Sequence, residues 1–159
     1  MKISKAFSGK KIENVTVLLT AVLENQMTLF SQKKKFYWNV KKGRNFFEIH
    51  KLLDEHYKML EEAILEASER IDKINNKNIT QVNLITHSSV EKSENKFPTS
   101  EKMIQDRIKD HQAVIKHIRK NIDECIKKND DKETAFFLIG ILQKNENIVN
   151  TLKLYLKEI

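Results

Sequence analysis

The sequence predicts an all-α protein, and three observations lead to this prediction. Only three glycines and one proline occur among 159 residues. A sheet-rich protein needs more of these turn-forming residues. Apolar residues recur at steps of three and four through long stretches, which is the spacing of one helix face. The length suits one domain with a single core. We therefore expect one bundle of long helices.

The first two helices form a predicted hairpin. One amphipathic segment spans residues 12–40 and ends before Gly43, where glycine supplies a helix stop. A second begins after the N-cap candidate Asn45 and continues to Ile74. At 1.5 Å per residue each helix would be about 40 Å long. A short connection between two such helices implies antiparallel neighbours.

The second hairpin follows in residues 100–159. Its first helix, residues 100–128, begins at Thr99 or Ser100 as N-cap. Apolar or weakly polar residues form one seam along it: Ile104, Ile108, His111, Ile115, Ile118, Ile122 and Cys125. The last helix is predicted to start at Asp130 as N-cap, with Glu133 returning a bond to the cap.

The connection between the hairpins covers residues 75–99 and is too long for a simple turn. Its apolar residues favour a short helix at residues 79–90. Two hairpins joined by one long crossover is the ferritin-like arrangement of a four-helix bundle. We expect a basic flexible tail at residues 1–11 and the bundle at residues 12–159.

Charge and hydropathy indicate which classes of partner and which cellular location to expect. The formal net charge of +7 favours polyanions, and on its own it leaves DNA, RNA and an acidic membrane surface open. The longest apolar run, residues 135–142, is far shorter than the roughly 20 residues that span a bilayer. No secretory signal pattern opens the chain. A cytoplasmic protein is expected, and Cys125, the only cysteine, is expected to be a buried thiol.

Most enzyme classes find no support. No nucleophile elbow, phosphate loop, HExxH or CxxC pattern occurs. His56 and His117 are predicted to lie at the surface, His87 lies in the crossover without evident partners, and His111 is predicted to be a hydrogen-bonded core histidine. His50 and Asp54 are spaced i, i+4, which places them on one face of the second helix. Spacing alone allows an ordinary surface pair or a shared cation.

A run of residues from Phe36 to Arg70 adds a resemblance. It reads Phe-Tyr-Trp-Asn-Val, then Lys-Lys-Gly-Arg-Asn-Phe-Phe-Glu-Ile-His, Lys-Leu-Leu-Asp and, later, Glu-Ala-Ser-Glu-Arg-Ile. This resembles the signature of the Dps family, the DNA-binding proteins from starved cells. That signature has His-Trp-Asn-Val, Gly, Asn-Phe, a His four residues before an acid, and Ala-Glu-Arg.

The resemblance implies a hollow dodecamer that protects the cell under oxidative stress. In that family an iron site lies between two subunits, where ferrous ions are oxidised, preferentially by hydrogen peroxide, and stored as ferric mineral. Carried over residue by residue, the ligands retained here are His50, Asp54 and Glu69. Iron is the implied metal, with zinc or no metal as alternatives.

Two ligand positions of the family differ in this chain. Tyr37 replaces the histidine before Trp38, and Leu65 replaces an acid. A leucine supplies no ligand, so the resemblance implies a weakened oxidation site and leaves the catalytic residues and the ferroxidase activity undecided. Tyr37 is a weak ligand or a radical quencher in this interpretation, Trp38 beside it is a further auxiliary residue, and Glu62 or Glu66 is a substitute acid. The competing interpretation is a metal-free cluster at a subunit interface.

The DNA contact is predicted in the basic tail. Lys2, Lys5, Lys10 and Lys11 resemble the lysine-bearing tails of some family members. Twelve copies would turn weak, sequence-independent phosphate contacts into avidity and associate the shell with the nucleoid. A disordered solubilising tail is the alternative, and the lysines at residues 33–35 are expected to form a solvated helix face. A shell that packs DNA without oxidising iron, and a plain four-helix interaction module, remain competing functions.

Overall fold

The computed structural model of the chain describes residues 9–39, 46–75 and 99–158. These ranges contain helices and turns and no strand, so the all-α prediction is confirmed. The helices are α1 (Gly9–Ser31), α2 (Lys33–Asn39), α3 (Phe46–Asn75), α4 (Ser100–Lys127) and α5 (Lys132–Glu158). The short helix expected at residues 79–90 falls outside the described residues. None of the described helices is both long and apolar enough to cross a membrane.

The first predicted helix is interrupted, which corrects the continuous helix expected at residues 12–40. Gln32 forms a turn between α1 and α2. The hydroxyl of Ser31 donates to the carbonyl of Thr28 at 2.7 Å, and such back-bonding competes with the helical ladder and bends it. The amide of Phe36 still donates to the carbonyl of Gln32 at 3.2 Å. Gln32 therefore accepts a backbone hydrogen bond from the first turn of α2.

The N-cap residue predicted for α4 is confirmed, and the one predicted for α5 is not. Thr99 caps α4, and its side chain accepts from the amide of Lys102 at 3.2 Å. The predicted cap Asp130 is wrong: it has φ 49°, so it occupies the left-handed turn that ends the preceding loop. The cap is Asp131, which accepts from the amide of Thr134 at 2.9 Å.

The bundle consists of two closely packed pairs. α1 packs mainly on α3, and α4 mainly on α5, with narrower contacts between α1 and α4 and between α3 and α5. The predicted α4 seam lies in the core, where Ile104, Ile118 and Cys125 are buried. Cys125 is a free, buried thiol, as predicted. Burial raises the pKa of this thiol to about 11. Apolar burial of this kind supplies most of the stability of a helical bundle.

A polar chain crosses the middle of this core. His111 donates from Nδ1 to Oδ1 of Asn145 at 2.9 Å, and Nδ2 of Asn145 donates to Oε1 of Gln26 at 3.1 Å. All three side chains are fully buried. The prediction of His111 as a hydrogen-bonded core histidine is confirmed, and this chain links α1, α4 and α5.

His56 was expected at the surface, and the structure corrects this. It is 1% exposed, with Nε2 at 2.7 Å from Oγ1 of Thr151. The reason is that α3 packs on α5 as well as on α1, so its buried face is wider than one seam. His117 is half-buried, and its Nδ1 lies 3.1 Å from Nδ2 of Asn25.

Candidate metal centre

His50 and Asp54 lie on one face of α3, one helical turn apart, as their spacing requires. The His50 ring is half-buried. It packs against Tyr37 and Phe46, with centroid distances of 4.6 and 4.2 Å. Asp54 is exposed at the same level of the helix. The structure thus brings together the helix α3 pair and the tyrosine predicted as an auxiliary residue.

Asp54 already has two partners within its own chain. The hydroxyl of Tyr37 donates to its Oδ1, and Nζ of Lys33 lies 3.7 Å from the same oxygen. Partial burial, followed by this hydrogen bond, raises the pKa of Tyr37 well above its ordinary value. Tyr37 is therefore a protonated donor to Asp54, which is the opposite of an anionic metal ligand.

Lys33 is a component of the site that the sequence interpretation missed. Its ammonium lies 5.6 Å from the ring centroid of Tyr37 and 5.3 Å from that of Tyr57, within the range of cation–π attraction. The lysine run at residues 33–35 was interpreted as a solvated face. The i, i+4 spacing of Lys33 and Tyr37 was the available signal, because it places the ammonium on the same helix face as the tyrosine.

Tyr57, whose ring faces Lys33, is in contact with the buried side chain of Arg107. Nη1 of Arg107 donates to the hydroxyl of Tyr57 at 3.2 Å. The guanidinium lies 5.1 Å from the Phe36 centroid and 4.6 Å from that of Tyr57. It is 0% exposed, and none of the ion pairs found among the described residues includes it. Burial lowers the pKa of Arg107.

Two predicted substitute acids, Glu62 and Glu66, face α5 instead of Asp54. Nζ of Lys144 lies 2.7 Å from both carboxylate oxygens of Glu66 and 3.9 Å from Glu62. These acids lie two to three helical turns after Asp54 on α3, where they pair with Lys144. Leu65, which the resemblance places at a ligand position, is 57% exposed and offers no donor atom.

Glu69 is too far along α3 to complete the set in one chain. It is exposed and follows Asp54 by 15 residues, which corresponds to about 22 Å along the helix axis. Within the described part of the chain, no group of three or more histidine, cysteine or acidic side chains could hold a metal ion. His50 and Asp54 fit a cation only if a further ligand arrives from elsewhere.

Arg70, next to Glu69, has a structural position. Its Nη2 donates to the hydroxyl of Thr134 at 3.1 Å and lies 3.5 Å from the carboxylate of Glu133. Glu133 therefore pairs with α3, which corrects its predicted return bond to the α5 cap. These contacts tie the end of α3 to the start of α5.

The other predicted site residues are only partly described. Lys10 and Lys11 lie in the first turn of α1, where Lys10 is exposed. Lys2 and Lys5 lie outside the described residues, as does the side chain of Trp38. Their predicted roles stay predictions.

Comparison with known proteins identifies the class. Residues 17–159 match the ferritin-like domain family, so the chain belongs to the ferritin-like family. It is 27% identical to DNA protection during starvation protein 2 of Bacillus anthracis, over 92% of this chain and 99% of that one. It is 25% identical to an uncharacterized low temperature-induced protein of Nostoc, over 98% of this chain and 87% of that one.

The solved structures agree with this fold. DpsC from Streptomyces coelicolor superposes with a TM-score of 0.82 at 18% identity, covering 98% of this chain and 91% of that one. Among ferritin-like proteins, those that the chain is similar to here are a DNA protection during starvation protein and Dps structures.

Proposed function

We propose that this protein is a Dps-type stress-protection protein that assembles into a dodecameric shell, takes up iron as cargo and protects DNA, with a weakened oxidation site. The proposal places it in the cytoplasm, associated with the nucleoid. Iron is the expected metal, and zinc is the alternative for a single position that has fewer ligands. The observation that carries the proposal is the separation of the retained ligands along α3.

This separation favours a site between two subunits. Asp54 and Glu69 are about 22 Å apart along one helix, so one chain cannot present both to one ion. A second chain running antiparallel would bring its Glu69 beside the first chain's His50 and Asp54. Such a pair of identical contacts is the usual twofold arrangement of homo-oligomers.

Exposed apolar side chains support assembly. Phe47 is 84% exposed, Phe136 78% and Val17 63% in the single chain. Large apolar residues at such exposure are typical of surfaces that become buried in subunit contacts. Twelve chains of 18.7 kDa give a particle of about 220 kDa, as expected of a closed shell.

A specific observation favours the second candidate, a shell that packs DNA without oxidising iron. The ammonium of Lys33 and the hydroxyl of Tyr37 both contact Asp54, and exposed Leu65 supplies no ligand. A redox iron centre needs several hard or borderline ligands. The two candidates share the shell and differ in whether ferrous iron is oxidised there.

The intersubunit site is tested by complementation. Asp54→Asn and Glu69→Gln shells are each expected to lose specific Fe²⁺ binding under anaerobic conditions. Shells reassembled from an equal mixture should regain part of it, because a mixed pair of subunits contains one intact site. Asp72→Asn, an exposed acid on the same helix, is the control. Mixed shells that bind no more iron than either parent would refute the intersubunit site, and a particle far below 220 kDa by light scattering would refute the shell.

The same particles separate the two candidate functions. Hydrogen peroxide added to wild-type and Asp54→Asn shells in the same anaerobic Fe²⁺ solution should produce ferric absorbance faster with the wild type if iron is oxidised at the site. Equal rates in both proteins would favour the shell without oxidation.

DNA protection depends on the basic N-terminal residues in this proposal. A gel-shift titration at rising salt should show binding that weakens steeply, since phosphate contacts release counterions. Deleting residues 1–8 while leaving α1 intact should weaken the binding, and the same deletion tests the predicted tail. Because this deletion leaves Lys10 and Lys11 in place, a second variant adds Lys10→Gln and Lys11→Gln, and equal binding by that variant would refute the DNA contact proposed for the tail.

A further inference from the structure

We propose that Lys33 is a specificity-determining residue of this site: its ammonium occupies the cation position beside Asp54 and competes with divalent metals for that carboxylate. The inference rests on the proposed function only in treating Asp54 as a metal position. It assigns Lys33 a role that the resemblance to the Dps family does not imply.

The contacts around Asp54 carry the proposal. Oδ1 accepts from the Tyr37 hydroxyl and lies 3.7 Å from the Lys33 ammonium, so one oxygen of the carboxylate already has a hydrogen-bond donor and a positive charge beside it. A metal that binds Oδ1 must displace both. The site therefore has its own counter-ion within the same chain.

Aromatic contacts hold Lys33 in this position in addition to its ion pair with Asp54. Half-exposed ion pairs are weak by themselves because solvent screens them. Here the ammonium also faces the rings of Tyr37 and Tyr57, which attract a cation electrostatically. Tyr57 is fixed in turn, since it is 1% exposed and accepts from Arg107. The aromatic surface holds the lysine head group near Asp54.

A second lysine, Lys144 of α5, also pairs with carboxylates of α3. Lys144 is only 24% exposed and contacts both carboxylate oxygens of Glu66. The acids that could have replaced the missing ligand are therefore paired with an ammonium as well. Asp54, Glu62 and Glu66 each lie within 4.0 Å of a lysine nitrogen.

The expected effect of Lys33 follows from charge repulsion. An ammonium about 5 Å from a divalent ion lowers its binding constant by about tenfold, even at the dielectric constant of water. Removing the positive charge should therefore raise the affinity of the site for a divalent metal. Keeping the charge on a longer side chain should leave the affinity low.

The test measures Co²⁺ binding to the assembled protein by calorimetry and visible absorption. The variants are Lys33→Gln, Lys33→Arg, Asp54→Asn and the double variant Lys33→Gln/Asp54→Asn. Lys35→Gln, an exposed lysine of the same helix, controls for the change in net charge. Circular dichroism and light scattering establish that each variant keeps the fold and assembly.

We expect Lys33→Gln to bind Co²⁺ about tenfold more tightly than the wild type, with Lys33→Arg and Lys35→Gln close to the wild type. The added affinity should disappear in the double variant. If Lys33→Gln binds no more tightly while Asp54→Asn weakens binding, the role of Lys33 is refuted and the metal position stands. If Asp54→Asn has no effect in either background, the metal position itself is refuted together with this inference.

Discussion

Acidification is expected to destabilise the bundle because two core histidines are held neutral. Burial, followed by the positive charge of Arg107, lowers the pKa of His56 and of His111 to about 3. In the unfolded chain a histidine titrates near pH 6.5. The unfolded state therefore binds more protons than the native state between these values.

The sign and size of the effect follow from this difference. Each histidine contributes stability that is fully present above about pH 6.5 and is lost as the pH falls towards 3. At about pH 5 the loss is roughly 2 kcal/mol for each histidine, or about 4 kcal/mol together. A typical domain has only about 5–15 kcal/mol in total, so a large fraction of the free energy of unfolding is involved.

Urea unfolding at about pH 7.5 and about pH 5, followed by helical circular dichroism, measures the loss. Light scattering shows whether the oligomer is the same at both pH values. The double variant His56→Gln/His111→Gln should show a loss between the two pH values that is smaller by roughly 4 kcal/mol than that of the wild type. His117→Gln, at a half-buried histidine, should behave like the wild type. If the double variant lost as much stability as the wild type between these pH values, the reasoning would be refuted.

Two further predictions concern buried charge and helix capping. Arg107→Met should raise the free energy of unfolding by about 1 kcal/mol, because it removes a buried cation and supplies apolar volume; a loss of more than 2 kcal/mol in urea unfolding would contradict this. Asp131→Ala should cost about 1 kcal/mol by removing the α5 cap, while Asp130→Gly should gain up to about 1 kcal/mol, since glycine tolerates its φ of 49°. The opposite order of these two variants in thermal unfolding would show that Asp130 is the cap.

Apolar periodicity was sufficient to predict the long helices and the core seam. The seam from Ile104 to Cys125 is buried because residues at steps of three and four share one helix face. Two features of the helices could not be predicted from periodicity, namely the interruption at Gln32 and the cap of α5. It says nothing about the hydroxyl of Ser31, which disturbs the helix at Gln32. It also cannot choose between adjacent acids such as Asp130 and Asp131, because only the backbone angles of the turn decide which one caps.

The polar core was harder to predict because its burial is a property of the whole bundle. His56 lies beside the apolar α3 seam, and it becomes buried only because α5 covers that edge. Arg107 occupies a seam position, three residues after Ile104 and four before His111. Charged residues are almost never fully buried without partners, so burial was not expected there. Its aromatic partners, Phe36 and Tyr57, come from other helices and could not be identified from local spacing.

The same limit applies to the candidate metal centre. The i, i+4 spacing was sufficient to place His50 and Asp54 on one face of α3, while their role as metal ligands stays a prediction. It did not show which cation Asp54 meets. At the position where the resemblance implies an imidazole ligand, Tyr37 supplies a hydroxyl that donates to Asp54, and Lys33 lies one turn before it with a positive charge. Tyr37 and Lys33 of α2 therefore determine the electrostatic environment of the Asp54 carboxylate. Retained ligands in α3 are weak evidence for iron chemistry unless the charge of the helix facing them is also considered.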